Sequence, residues 1–270
     1  MRVPNLKLSH RLRLKVRNSA ASSGSAKQLI NPGEAYFMDI KALTFDVFGT
    51  LVDWRTAAIR ELEQIGQEKQ IHEDWSAFVD EWKSTYRKDM DAVNAKKRPW
   101  ANIDIFFRDR LEELIPLYRL DCLTETERKH LNLVWTRPDA WPDVSDSLMR
   151  LKSRFIVSTL SNGNFSWLVS IARHCELNFD CVLTAENARA YKPDGKVYQM
   201  AIELLALDPG SILMVACHNY DLIEAKKHGM QTAFIPRLEH GPGQIKDQQA
   251  EKDWDFIASD LADLATQLGC

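Results

Sequence analysis

No stretch of this sequence holds an apolar run near the roughly 18 to 20 residues that a bilayer demands, so a membrane-spanning helix is not expected. Cysteine is sparse: Cys122, Cys175, Cys181, Cys217 and Cys270 are odd in number, and no two share the spacing of a zinc or redox motif. That argues against a disulfide framework and for reduced thiols in a cytoplasmic protein. Neither sign of charge dominates. A formal net charge of -3 leaves no basic surface for nucleic acid and no acidic tail. Internal repeats are absent, and the one biased patch is short, at Ser22 to Ser25. The expected partner is therefore a small molecule, with a homodimer left open.

The first 37 residues stand apart from the rest. No acidic residue precedes Glu34, whereas Arg2, Lys7, Arg11, Arg13, Lys15, Arg17 and Lys27 all do. Three readings fit: a disordered tail, an Arg- and Ser-rich organellar transit peptide, or a segment upstream of a true start at Met38. The last is favoured, because Met38 stands directly before the first strand.

What is present is a regular alternation. Ala42 to Phe48 is a short apolar run ending at Gly49-Thr50, the shape of a buried parallel strand entering a turn. Similar runs follow at Phe155 to Leu160, Cys181 to Thr184, Ile212 to Ala216 and Thr232 to Ile235, each separated by a helix-length segment. This spacing predicts an α/β fold with a Rossmann-like, doubly wound parallel sheet. Between Trp54 and Trp141 the spacing is helical instead, as in Trp75, Phe78, Val79 and Trp82, and Pro138 and Pro142 mark the return. The expected organisation is a core of residues 38–53 and 142–270 with a helical cap, 54–141, inserted after the first strand.

Open parallel sheets bind ligands beyond the carboxyl ends of their strands. The residues there are Asp46 to Thr50, then Ser161, Asn162 and Gly163, then Lys192-Pro193-Asp194, then Cys217, His218 and Asp221. Singly, each has a bland explanation: an Asp caps a helix, Ser-Asn-Gly makes a turn, a lysine is solvated. Together they put two carboxylates, a cation, a hydroxyl and an amide at one edge of one sheet.

The string Phe45-Asp46-Val47-Phe48-Gly49-Thr50-Leu51 resembles the first motif of the haloacid dehalogenase superfamily. Leu160 to Gly163 resembles its second, Lys192-Pro193 its third, and Val215 to Asp221 its fourth. The resemblance runs from Met38 to near the C-terminus and implies a Rossmann-like core with a helical cap. Two absences choose the branch. Phosphatases of the superfamily carry Asp-x-Asp, whose second acid protonates the leaving group, and here that position is Phe48; they bind magnesium through acids of the fourth motif, and here the first of these is Cys217. A halide leaves without a proton, so the sequence is similar to the L-2-haloacid dehalogenases, including Tyr191-Lys192-Pro193-Asp194 and Tyr198. No cofactor and no metal are implied.

The resemblance implies that Asp46 attacks the halogen-bearing carbon of a 2-haloacid and forms an ester that water then cleaves. Lys192 would keep Asp46 ionised. With Ser161 and the backbone near Val47 and Phe48 it would hold the substrate carboxylate, while Asn162 would meet the halide. Thr50 and Tyr198 would orient the nucleophile and wall the site, and Asp221 would anchor Lys192 or the attacking water. Two departures stand out. The cap arginine of this branch is matched only by Lys83, with Arg87 one turn on, and a lysine lacks the planar fork; either is equally well a surface charge. His218 replaces an asparagine and could serve as base toward water, its ring oriented by Asp221, or could be a structural helix-terminal residue. Trp82, Trp100, Tyr86 and Phe106 are candidates for the apolar wall, Trp100 being singled out because it follows Pro99 at a break between helices. The rival functions are a superfamily phosphatase and a non-catalytic binding protein.

Overall fold

Ala42–Phe45 is buried at every position, and a strand enclosed on both faces has no reason to alternate polar with apolar residues. It is the central strand, β1, of a computed structural model that describes residues 39–270. The readings made for residues 1–37 and for Met38 lie outside the described residues. Along the chain follow β2 (Val52–Asp53), α1 (Trp54–Lys69), α2 (Trp75–Ser84), α3 (Tyr86–Asn94), α4 (Ile103–Leu114), α5 (Glu125–Asn132) and β3 (Asp139–Ala140). Then come α6 (Val144–Lys152), β4 (Ile156–Ser161), α7 (Phe165–His174), β5 (Cys181–Thr184), α8 (Ala185–Ala188) and α9 (Gly195–Leu205). The chain closes with β6 (Ile212–Ala216), α10 (Asn219–Lys227), β7 (Gln231–Phe234), β8 (Phe256–Ile257) and α11 (Leu261–Gln267).

Six strands form one sheet in the order β5-β4-β1-β6-β7-β8, with every pairing parallel. The register sets Phe45 beside Thr159 and Val215, so the residues after β1, β4 and β6 emerge at one edge. Alternate residues face opposite layers. Leu213 and Val215 pack with Leu148 of α6 and Leu264 of α11, whereas Ile212, Met214 and Ala216 pack with Ala201 of α9 and Leu222 of α10. This is a doubly wound α/β fold. The strands expected at 155–160 and 232–235 lie at Ile156–Ser161 and Gln231–Phe234; β2, β3 and β8 had no sequence counterpart, β3 falling within the stretch read as helical.

A second, two-stranded sheet pairs β2 with β3 antiparallel, so the chain leaves and re-enters the core side by side. Between them, α1 to α5 bury their own aromatic cluster, including Trp54, Phe78, Trp82, Phe107 and Trp135. Local chemistry starts these helices: Asp53 and Asp74 accept from the backbone N–H of Thr56 and Ala77, and Thr124 with Glu127 completes a capping box. Trp75, Phe78, Val79 and Trp82 all fall on the buried face of α2, as a period of 3.6 requires. Among the described residues no helix is long and apolar enough to cross a membrane.

Candidate active site

Asp46 is the first residue beyond β1, its N–H still bonded to the Val215 carbonyl at 3.0 Å, which fixes the carboxylate at the sheet's edge. The chain then turns at Gly49 (φ 86°), where a Cβ would be strained and would run into the Glu239 carboxylate. That turn brings Thr50 back beneath Asp46. Thr50 Oγ1 donates to Asp46 Oδ2 at 2.9 Å and accepts the Cys217 N–H at 3.0 Å, linking the ends of β1 and β6.

Lys192 is fully buried, and its ammonium lies 2.9 Å from Asp46 Oδ1 and in contact with Asp221 Oδ2. Tyr198 donates to the other Asp221 oxygen at 2.5 Å. Asn162 steadies the lysine from its backbone, accepting the Lys192 N–H at 2.7 Å. Burial works against the charge on Lys192, but Asp221 and Asp46 outweigh it and hold the ammonium above its ordinary range. Burial likewise raises the Asp46 carboxyl, yet Lys192 and His218 prevail and keep it ionised well below the usual carboxylate range. For Asp221 burial prevails, and its value rises.

His218 lies between two carboxylates. Its Nδ1 is 3.0 Å from Asp46 Oδ2 and its Nε2 is 2.6 Å from Glu239 Oε1. A neutral imidazole has one N–H and cannot donate to both acceptors, whereas the imidazolium can. Burial disfavours that charge, but the Cys217 sulfur, Glu239, Tyr220 and the bond to Asp46 raise the ring well above its ordinary value. Glu239 itself is held low, burial being outweighed by Lys83 and His218. Its second oxygen accepts from Trp54 Nε1 at 2.5 Å and from Lys83 Nζ at 3.4 Å, and Lys83 sits 3.4 Å above the Trp54 ring. Asp46, Asp221 and Glu239 thus balance Lys192, His218 and Lys83, a neutral set of six charges.

Above these charges lies a small cavity of about 40 Å³. Asp46, Ser161, Asn162, Gly163 and His218 form its polar side, and Phe48, Tyr86, Ile103, Phe107, Trp135, Trp167 and Tyr220 its apolar wall, with Lys83 between. A larger cleft of about 640 Å³, along α1 and α5, is lined by charges already paired with one another, among them Glu61 with Arg137 and Lys69 with Glu127.

Most of the residues singled out from the sequence meet here. Asp46, Thr50, Lys192, His218 and Asp221 form one bonded network, and Phe48, Lys83, Ser161 and Asn162 line the cavity. Others are displaced. Arg87 does not line the cavity: it pairs with Asp91 at 3.2 Å and stacks 4.6 Å over Tyr220, outside the wall. Trp100 stacks on Tyr191 at 4.8 Å, while Trp82 and Phe106 belong to the packed interior of the inserted helices. Val47 points into the sheet's core, and Tyr198 lies behind Lys192 rather than in the wall. Asp221 does not orient His218, because both its oxygens are taken by Lys192 and Tyr198. Glu239 does so instead. It was missed because it lies on an irregular loop with no motif, although reading past the end of β7 as past the other strands would have reached it.

Asp46, Cys217 and His218 place an oxygen, a sulfur and a nitrogen within 4.8 Å of one another. Magnesium seeks an octahedron of oxygens, so this donor set does not suit it. The same set sits in a longer likeness: residues 40–227 match the profile of the haloacid dehalogenase-like hydrolases. The chain belongs to this family. The hydrolase is 25% identical over 250 residues to (S)-2-haloacid dehalogenase 4A of Burkholderia cepacia, covering 84% of this chain and 98% of that one. Its fold overlays the crystal structure of the L-2-haloacid dehalogenase PA0810 with a TM-score of 0.83 and 41% identity, over 85% of this chain and 99% of the other. A defluorinating L-2-haloacid dehalogenase, Rha0230, gives a TM-score of 0.80 and 35% identity over 86% and 96%.

Proposed function

We propose that this hydrolase removes halide from short 2-haloalkanoic acids through an ester on Asp46, with residues 54–141 acting as a cap over the site. The observation that carries this reading is the Asp46 carboxylate, held ionised by Lys192, Thr50 and His218 against a small apolar cavity, with Phe48 where a proton donor would stand. A halide needs no proton to leave; a phosphomonoester's alkoxide does.

In the first step an Asp46 oxygen forms a bond to C2, the carbon–halogen bond breaks, and its electron pair leaves with the halide. Ser161 and the turn at Val47 and Phe48 hold the substrate carboxylate, while Lys192, buried behind Asp46, keeps the nucleophile ionised. The ester removes the negative charge from Asp46, and His218 thereby loses one of its two anionic partners. Its proton then departs with the halide, so that H⁺ and X⁻ leave as a balanced pair. The neutral ring, still oriented by Glu239, takes a proton from water, and the hydroxide attacks the ester carbonyl. Cleavage releases the 2-hydroxy acid, restores the Asp46 carboxylate and leaves His218 charged again between its two acids.

Halide release tests this directly, across fluoro-, chloro- and bromoacetate and both enantiomers of 2-chloropropionate, with and without chelator. The expected result is chelator-independent release that vanishes in Asp46→Asn. Magnesium-dependent phosphate release from a phosphomonoester, with no halide release, would overturn the reading.

A further inference from the structure

Trp135 is 1% exposed and lines the cavity, yet its Nε1–H has no acceptor among the described residues. Its ring is fixed by aromatic neighbours, with centroids of Phe107 at 4.4 Å, Trp82 at 5.0 Å and Trp54 at 5.9 Å. Such packing leaves the indole little freedom to turn toward solvent. A buried donor without a partner is unfavourable, and a phenyl ring would fill the same wall without that cost.

In-line attack sends the leaving group to the side of the carbon away from Asp46. Asp46 stands on the sheet's edge, so that side is the roof contributed by the inserted helices: Lys83, Phe107 and Trp135. Among the donors facing the cavity, Lys83 is already engaged by Glu239 and the Trp54 ring, and Asn162 turns both ends of its amide to the Lys192 backbone, at 2.7 and 3.4 Å. The indole N–H of Trp135 is the buried polar atom of this wall that makes no hydrogen bond among the described residues.

We propose that Trp135 Nε1–H is a halide-binding donor of this site, donating to the anion as the carbon–halogen bond breaks. This rests on the dehalogenase reading. The bond strengthens as charge builds on the halogen, so it serves the chemical step more than substrate binding. It matters most for fluoride, the most strongly hydrogen-bonding halide and the poorest leaving group.

The test compares the full-length parent with Trp135→Phe, which keeps a ring and loses the donor. The expected loss in kcat is roughly 10- to 100-fold on fluoroacetate, the range for one hydrogen bond to a charged acceptor, and smaller on bromoacetate, with KM little changed. An equal loss on all three haloacetates would make Trp135 a packing residue and overturn the proposal. Should the variant not fold, the parent decides alone: titration with fluoride or chloride should shift one of the indole N–H resonances of the eight tryptophans, and no shift would sink the idea. Absence of halide release from every haloacid would instead remove the dehalogenase reading, leaving the indole resonance as an independent measure of anion binding.

Discussion

His218 Nε2 lies 2.6 Å from Glu239 Oε1, on the opposite side of the ring from Asp46. One carboxylate of this arrangement changes its charge during the proposed reaction and the other does not. Glu239 therefore supplies the constant field, and Asp46 the variable one. Through Trp54 and Lys83, Glu239 also ties the inserted helices to the core.

Glu239→Gln keeps the shape and removes the charge. His218 should then titrate lower, as seen in the pH dependence of its ring resonances, because one of the groups that raise it is gone. Hydrolysis of the ester should slow by about 100-fold or more, the scale for a misplaced general base. An unchanged histidine titration in the folded variant would show that Glu239 does not govern the ring.

Lys192 is the cation between Asp46 and Asp221, both of them buried. Lys192→Met leaves two buried carboxylates facing each other. Breaking a buried pair from one side costs about 3–5 kcal/mol, which urea unfolding would register as a lowered midpoint. Asp46 should also take up a proton nearer neutrality and lose its nucleophilic form. Parent-like stability would mean that water, not Lys192, screens the two acids.

Acid–base linkage has opposite signs at the two ends of the His218–Asp46 contact. The ring's folded value lies above 6.5, so its contribution to stability is complete below that value and is lost as pH rises through the folded one. Asp46 is depressed from 3.8, so its contribution is present above that value and fades as pH falls through the folded one. The stability gap between the parent and His218→Asn should accordingly narrow from slightly acid to alkaline pH. A gap independent of pH across that window would place His218 outside the charged network.

Much of this is legible in the sequence. Runs without polar–apolar alternation, such as Ala42–Phe45, mark strands buried on both faces, and the 3.6-residue spacing of Trp75, Phe78, Val79 and Trp82 marks a helix. Asp46, Lys192 and Asp221 could be found because strand ends are short and the parallel topology delivers them to one edge. Glu239 lies past a strand end too, but its loop carries no motif to single it out, and its role depends on contacts with Gly49, Trp54 and His218 that are remote in sequence. The aromatic wall was only half legible. Tyr86 and Trp100 look alike in the sequence, and only packing sends one to the cavity and the other to Tyr191. Both the second carboxylate on His218 and the free indole of Trp135 are tertiary facts.

His218→Ala separates the two half-reactions. The first step needs an ionised Asp46, and Lys192 with Thr50 still provides that when the ring is gone. The second step needs a base beside the ester, and the neighbouring acids are poorly placed: Asp221 is spent on Lys192 and Tyr198, and Glu239 reaches Asp46 only through the imidazole. Alkylation should therefore proceed while hydrolysis slows by roughly 100- to 10,000-fold. Brief exposure to a haloacid followed by mass spectrometry should find the acid, less its halogen, on the peptide containing Asp46. The parent should show no such adduct at steady state. Asp221→Asn makes the opposite case: if that variant traps the ester and His218→Ala turns over normally, the base is Asp221, and the imidazolium between Asp46 and Glu239 only holds the carboxylates in place.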